Sequence, residues 1–139
     1  MIVEIKRVHL PFHMQAFNEA GKMVEIDAAA QIGGSDAGMR PMQLVLAALG
    51  GCAAIDVIDI LSKQRLVLQD IRIKVEGQRA HDQIPAVFKQ IHLHFTLTGD
   101  IPLHHAQRAV ALSVEKYCSV AAMLRSTAEI SYGVEVFSP

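Results

Sequence analysis

Hydrophobic and polar residues alternate along much of this chain, the pattern of strands with one face buried. Over residues 2–9, Val3 and Ile5 point one way and Glu4 and Lys6 the other. Residues 12–17 and 22–28 carry similar short runs, separated by the turn-forming Asn18-Glu19-Ala20-Gly21. The pattern breaks at Ile32-Gly33-Gly34-Ser35-Asp36-Ala37-Gly38, which predicts a flexible surface loop. Residues 41–65 are the longest apolar stretch. Pro41 suits a first helical turn and Lys63 and Arg65 a last one, and apolar residues on nearly every face predict a helix buried on most sides. Alternation returns at 68–79, where Ile71, Ile73 and Val75 oppose Arg72, Lys74 and Glu76. It recurs at 87–98, where Ile91, Leu93, Phe95 and Leu97 oppose Gln90, His92, His94 and Thr96. Asp82-Gln83-Ile84-Pro85 joins these two as a hairpin. Helical spacing follows over 103–117, through Ala106, Val110 and Val114, and again over 120–125. Ile130, Tyr132, Val134 and Val136 alternate as a last strand. The predicted order is β-β-β-α-β-β-α-α-β. Strands that come grouped and joined by hairpins define an α+β class, here an antiparallel sheet around a long buried central helix.

Composition narrows the classes of function. A chain of 139 residues is expected to form a single domain, 1–139. Hydrophobic residues at 51% against 19% charged exclude a disordered chain. A net charge of −1, no Trp and only two Tyr supply neither a basic field nor stacking platforms, so no nucleic-acid partner is expected. The apolar helix contains Asp56 and Asp59, each costing about 2.5–3.5 kcal/mol near a bilayer centre, which argues against a membrane span. The first residues alternate rather than forming a signal peptide's apolar run, so the expected location is the cytoplasm. Cysteines stay reduced there, and Cys52 and Cys118 are not a structural staple by default.

The glycine-rich segment at 33–38 has neither the GxGxxG spacing of a dinucleotide loop nor the GK[ST] of a P-loop. His92 and His94 share a strand face and His104-His105 are adjacent, but no spacing matches a zinc site and two cysteines are too few for paired CxxC ligands. No metal and no cofactor is expected. Gly50-Gly51 stands inside the long helix, where each glycine costs about 1 kcal/mol relative to alanine. The missing side chains let a backbone or a ligand come close, beside Cys52. Asp56 follows Cys52 by one helical turn, and a nearby carboxylate disfavours a thiolate. Cys118 lies near the start of a predicted helix, whose dipole favours a thiolate, with Glu115 opposing and Lys116 assisting. Packing, metal ligation with histidines and thiol chemistry all stay open for the two cysteines on these grounds.

The segment Pro41-Met42-Gln43-Leu44-Val45-Leu46-Ala47-Ala48-Leu49-Gly50-Gly51-Cys52-Ala53-Ala54-Ile55-Asp56 resembles the first cysteine motif of the OsmC/Ohr family, the osmotically inducible protein C and organic hydroperoxide resistance proteins. Glu115-Lys116-Tyr117-Cys118-Ser119-Val120 resembles the second. The separation of the motifs and the element order are similar to that family along nearly the whole chain. The resemblance implies an intertwined homodimer, with two sheets wrapped around paired central helices and two sites at the subunit interface. It also implies that Cys52 attacks a small organic hydroperoxide and becomes a sulfenic acid, which Cys118 resolves as a disulfide. An external dithiol, of lipoyl type by resemblance, would restore both.

Two departures place the chain in a divergent branch. Peroxidase members carry Pro-Glu at the start of the long helix, where this chain has Met42 followed by Gln43. They also carry an arginine in the N-terminal strand region, and residues 9–22 contain none. Arg7 and Arg40 are the nearest arginines, and Arg40 is the expected replacement, with Gln43 as an uncharged hydrogen-bond donor. Met42 and Gly51 are expected to line an apolar pocket. The expected function is a weak thiol-dependent peroxidase. The alternative is a non-enzymatic, redox-responsive or ligand-binding dimer with sluggish cysteines.

Overall fold

A computed structural model describes all 139 residues. The chain divides into two compact units, Met1–Val45 and Leu46–Pro139. In the first, β1 (Val3–His9), β2 (His13–Asn18) and β3 (Met23–Ile26) form an antiparallel sheet in the order β1-β2-β3. The Asn18 side-chain oxygen accepts the N–H groups of Ala20 and Lys22 and so shapes the turn into β3. Val3 and Ile5 alternate with Glu4 and Lys6 as predicted, yet both are about 60% exposed.

β3 stops two residues before its predicted end because Asp27 turns inward. Its carboxylate, 1% exposed, accepts backbone N–H groups of Ala28, Ser35 and Ala37 at 2.7, 3.0 and 3.1 Å. These bonds fold the glycine-rich segment back onto β3, with a 3-10 turn at Ala30–Ile32. The segment expected to be a flexible loop is therefore an anchored one. Two of its glycines are steric requirements. A Cβ at Gly34 would stand 1.8 Å from the Ala28 carbonyl oxygen, and one at Gly38 would stand 2.4 Å from the Glu25 carbonyl carbon.

The second unit holds a three-stranded sheet in the order β4-β5-β6, from β4 (Leu68–Arg79), β5 (Phe88–Gly99) and β6 (Glu129–Phe137). β4 and β5 form the predicted antiparallel hairpin. β6 lies parallel to β5, which corrects the expectation of a wholly antiparallel sheet, and two three-stranded sheets replace one. A parallel neighbour requires a crossover, supplied by α2 (Leu103–Leu112), a π-turn (Ser113–Tyr117) and α3 (Ser119–Leu124). Alternation in β6 reads the same in either direction, so the sequence could not orient it. The inner row of β5, Ile91, Leu93, Phe95 and Leu97, is at most 1% exposed, and Phe95 sits between Ile73 and Val134. On the outer row His92 meets the Ser131 hydroxyl at 2.8 Å and His94 meets the Glu135 carboxylate at 3.0 Å.

The long helix, α1 (Pro41–Lys63), begins in the first unit and runs through the second. Gln43 caps it, its side-chain oxygen accepting the Arg40 N–H at 2.9 Å. Arg65 ends it in a left-handed conformation, φ 59°, with the Leu66 N–H closing onto the Leu61 carbonyl. By length and composition α1 could cross a bilayer, but Leu49, Ala53, Val57 and Leu61 form a fully buried stripe. A Cβ at Gly50 would come within 3.0 Å of Val75, so the helix backbone sits close on β4. On other faces Ile55 and Ile58 are 69% and 44% exposed. Within one chain the helix is buried along a single stripe, not on most sides.

Asp27 yields a test of the first unit. Its carboxyl is held below the ordinary range chiefly by the Ala37 N–H, with Ala28 and Ser35 adding to it against burial. A group held low when folded stabilises the fold above its unfolded pKa of about 3.9, and that contribution is lost as pH falls through the folded value. Asp27→Asn is expected to lower the melting temperature at pH 7 and to flatten its fall below about pH 4, read by circular dichroism.

Candidate active site

Two elements of the second unit deliver the cysteines. Cys52 lies in the middle of α1, with Asp56 one turn further along the same face. Cys118 is the residue that caps α3. Both are free thiols, Cys52 half-buried and Cys118 2% exposed. Their Sγ atoms and a carboxylate oxygen of Asp56 all lie within 4.8 Å of one another. A disulfide bond is about 2.05 Å long, so closure needs about 3 Å of sulfur movement at most.

The π-turn brings Cys118 to this place. Its wider winding carries the Cys118 N–H onto the Ser113 carbonyl at 2.8 Å, five residues back. Ser113 is fully buried, and its hydroxyl lies 3.2 Å from both the Ala53 carbonyl and the Asp56 carboxylate on α1. Arg125 donates to the Val114 carbonyl, and the Tyr132 hydroxyl donates to Glu115. The Glu115 carboxylate, with some burial, pushes the Tyr132 phenol up to about 12. Glu115 is thus engaged by β6.

Burial decides the state of Cys118. The α3 cap does act on it, since its sulfur accepts the Ala121 N–H at 3.4 Å. Desolvation outweighs that bond, and the neighbouring Cys52 adds to it, so the Cys118 thiol is pushed up to about 11. The expectation that the helix start favours a thiolate is corrected: Cys118 is a neutral thiol at neutral pH.

Arg40, Met42 and Gln43 lie at the start of α1, in the first unit, and Gly51 precedes Cys52 in the second. Gln43 and Arg40 form the α1 cap, Met42 is half-buried beside them, and Gly51 is exposed with nothing within 4 Å of its Cβ position. His105 meets the Gln64 side chain at 2.7 Å, and His104 packs against its ring. Sequence reasoning did not find Ser113. Its one signal is a hydroxyl on the face that also carries Ala106, Ala109 and Val110, where a lone polar group needs partners.

A protein-family model described as OsmC-like protein matches residues 33–133, which include both cysteines. The chain belongs to the OsmC-like family. Protein YhfA of Escherichia coli K12 is 45% identical over 102 residues, 73% of this chain and 75% of YhfA. A solved structure from Aquifex aeolicus VF5 is 29% identical and covers 98% of this chain and 96% of its own, with a TM-score of 0.80. An organic hydroperoxide resistance protein OsmC of Legionella pneumophila shares the fold at 20% identity, with 97% of each chain covered and a TM-score of 0.73.

Ser113→Ala is expected to cost about 1 kcal/mol in urea unfolding, the usual worth of a buried hydrogen bond. It should also slow Cys52–Cys118 disulfide formation by diamide, because the turn that presents Cys118 loses its tie to α1.

Proposed function

We propose that this protein is a thiol-dependent peroxidase acting on small organic hydroperoxides, through a Cys52 sulfenate and then a Cys52–Cys118 disulfide. The observation that carries this reading is the approach of the two sulfurs to within 4.8 Å in a chain of the OsmC-like family. Family and fold point to a peroxide-related redox role. In the first step the Cys52 thiolate attacks the distal peroxide oxygen, the O–O bond breaks, and the alkoxide leaves as the alcohol after taking a proton. In the second the Cys118 thiolate attacks the sulfur of the Cys52 sulfenic acid, the S–OH bond breaks, and the hydroxide leaves as water after taking a proton. A dithiol, of lipoyl type in the better-known family members, then reduces the disulfide. The half-buried Cys52 meets the oxidant, whereas the buried Cys118 is placed to meet Cys52. The chain works as a single cytoplasmic domain. Without the family's arginine–glutamate pair, the first step is slower by about 10²–10³-fold, the usual cost of one preorganised donor.

Cys52→Ser should abolish reduction of cumene hydroperoxide. Cys118→Ser should spare one turnover and leave a sulfenate that dimedone traps. In the wild type, disulfide formation should rise about tenfold per pH unit between pH 7 and 9, since only the scarce Cys118 thiolate attacks. Stopped-flow kinetics and mass spectrometry read both. Burial of Cys118 also suits a dimer with sluggish thiols, and that reading takes over if excess hydroperoxide yields neither sulfenate nor disulfide.

The reading includes a homodimer. Exposed apolar residues stand on α1, at Ile55 and Ile58, and on β1, at Val3 and Ile5, more than a lone soluble chain ordinarily leaves in water. A Cβ at Gly51 would meet nothing within 4 Å in its own chain, so Gly51→Leu is expected to strain contacts with a second copy. Light scattering at micromolar concentration should show a dimer for the wild type and a weakened one for the variant. A wild-type monomer contradicts the assembly.

A further inference from the structure

Cys52, Asp56 and Cys118 have a second chemistry that does not depend on the peroxidase reading. Thiolate sulfur bonds zinc at about 2.3 Å and carboxylate oxygen at about 2.0–2.2 Å. A tetrahedral ion therefore needs its sulfurs about 3.8 Å apart and each sulfur about 3.5 Å from the oxygen. The three atoms, all within 4.8 Å of one another, exceed those separations by no more than about 1.3 Å.

The supports of a metal centre are also in place. Cys52 and Asp56 sit four residues apart on one helix, a spacing that aims two ligands at one point. Ser113 donates its hydroxyl to the Asp56 carboxylate, and the Ala121 N–H points at the Cys118 sulfur. Bonds of this kind fix ligand orientation around a bound ion. Asp56 also lines an open groove of about 540 Å³ beside Ile60, Leu112 and Tyr117, which gives the carboxylate side a solvent approach.

We propose that the reduced protein binds one thiophilic divalent cation of the Zn²⁺ class through Cys52 Sγ, Cys118 Sγ and the Asp56 carboxylate, with the fourth position open. Two soft sulfurs and one carboxylate select Zn²⁺ or Cd²⁺ over Mg²⁺ and Ca²⁺. Each sulfur gives up its proton as it binds, so two protons leave for each ion taken up from water. The ion and the disulfide use the same sulfurs and exclude each other. Oxidation of the pair releases the ion, and a bound ion protects the pair from hydroperoxide.

The test uses reduced full-length protein and Cd²⁺ alone, followed by the thiolate-to-cadmium charge-transfer band in the ultraviolet. One ion per chain is expected, with the band lost in Cys52→Ser and Cys118→Ser and in protein oxidised to the disulfide. Asp56→Asn still accepts a hydrogen bond from Ser113 and so preserves the fold. It is expected to weaken binding at least tenfold, and Ser113→Ala by about tenfold. Circular dichroism confirms that each variant is folded. No band in the reduced wild type overturns the site, as does undiminished affinity in folded Asp56→Asn or one ion shared between two chains. A wild type that reduces hydroperoxide but takes no Cd²⁺ overturns the metal site alone and leaves the peroxidase reading standing.

Discussion

The site depends on one helical turn wound wider than its neighbours. Had the crossover from α2 continued as an α-helix through Ser113–Tyr117, Cys118 would project in a different direction. The extra residue of the π-turn is held on three sides: Ser113 by α1, Val114 by Arg125 and Glu115 by Tyr132. None of these bonds touches a sulfur. Together they set where a sulfur far along the chain meets Cys52, and the Ser113 hydroxyl, being fully buried, is obliged to find its partners.

That placement gives the two thiols different characters. Cys52 stands half-buried on a helix face, whereas Cys118 is enclosed and held neutral by desolvation. A half-buried attacker and a buried resolver suit a reaction that proceeds in order, with solvent kept from the second sulfur until the first has reacted. The carboxylate of Asp56 sits where it disfavours negative charge on sulfur and where it attracts a cation. In the proposed scheme the reduced cluster is either open to oxidant or capped by an ion, and oxidation to the disulfide excludes the ion.

Much of the fold was legible because the alternation was strong. The strand at 68–79 and the start of the long helix at Pro41 come directly from it, as does the outward placing of His92 and His94. The parallel pairing of β6 was not legible, because alternation carries no direction. The burial of α1 was overread, because apolar residues on every face predict a covering without saying whether one chain supplies it. At the site, both cysteine motifs were visible, and their meeting was expected from the family resemblance alone: sequence spacing gave no sign of ligation or contact across that separation. Asp56 was seen only as a hindrance to Cys52, since its tie to Ser113 exists only once the π-turn forms. Cys118 was misjudged because the helix dipole is local and readable, whereas desolvation is a property of the packed whole.

The central claim is that Cys52 and Cys118 of the same chain act as one redox pair. Peptide mapping of light- and heavy-isotope chains unfolded and refolded together, oxidised by one equivalent of cumene hydroperoxide and digested without reduction, tests it most directly. The account predicts a Cys52–Cys118 linked peptide that is all light or all heavy. Mixed-isotope links, or oxidised Cys52 beside an untouched Cys118 thiol, would contradict it.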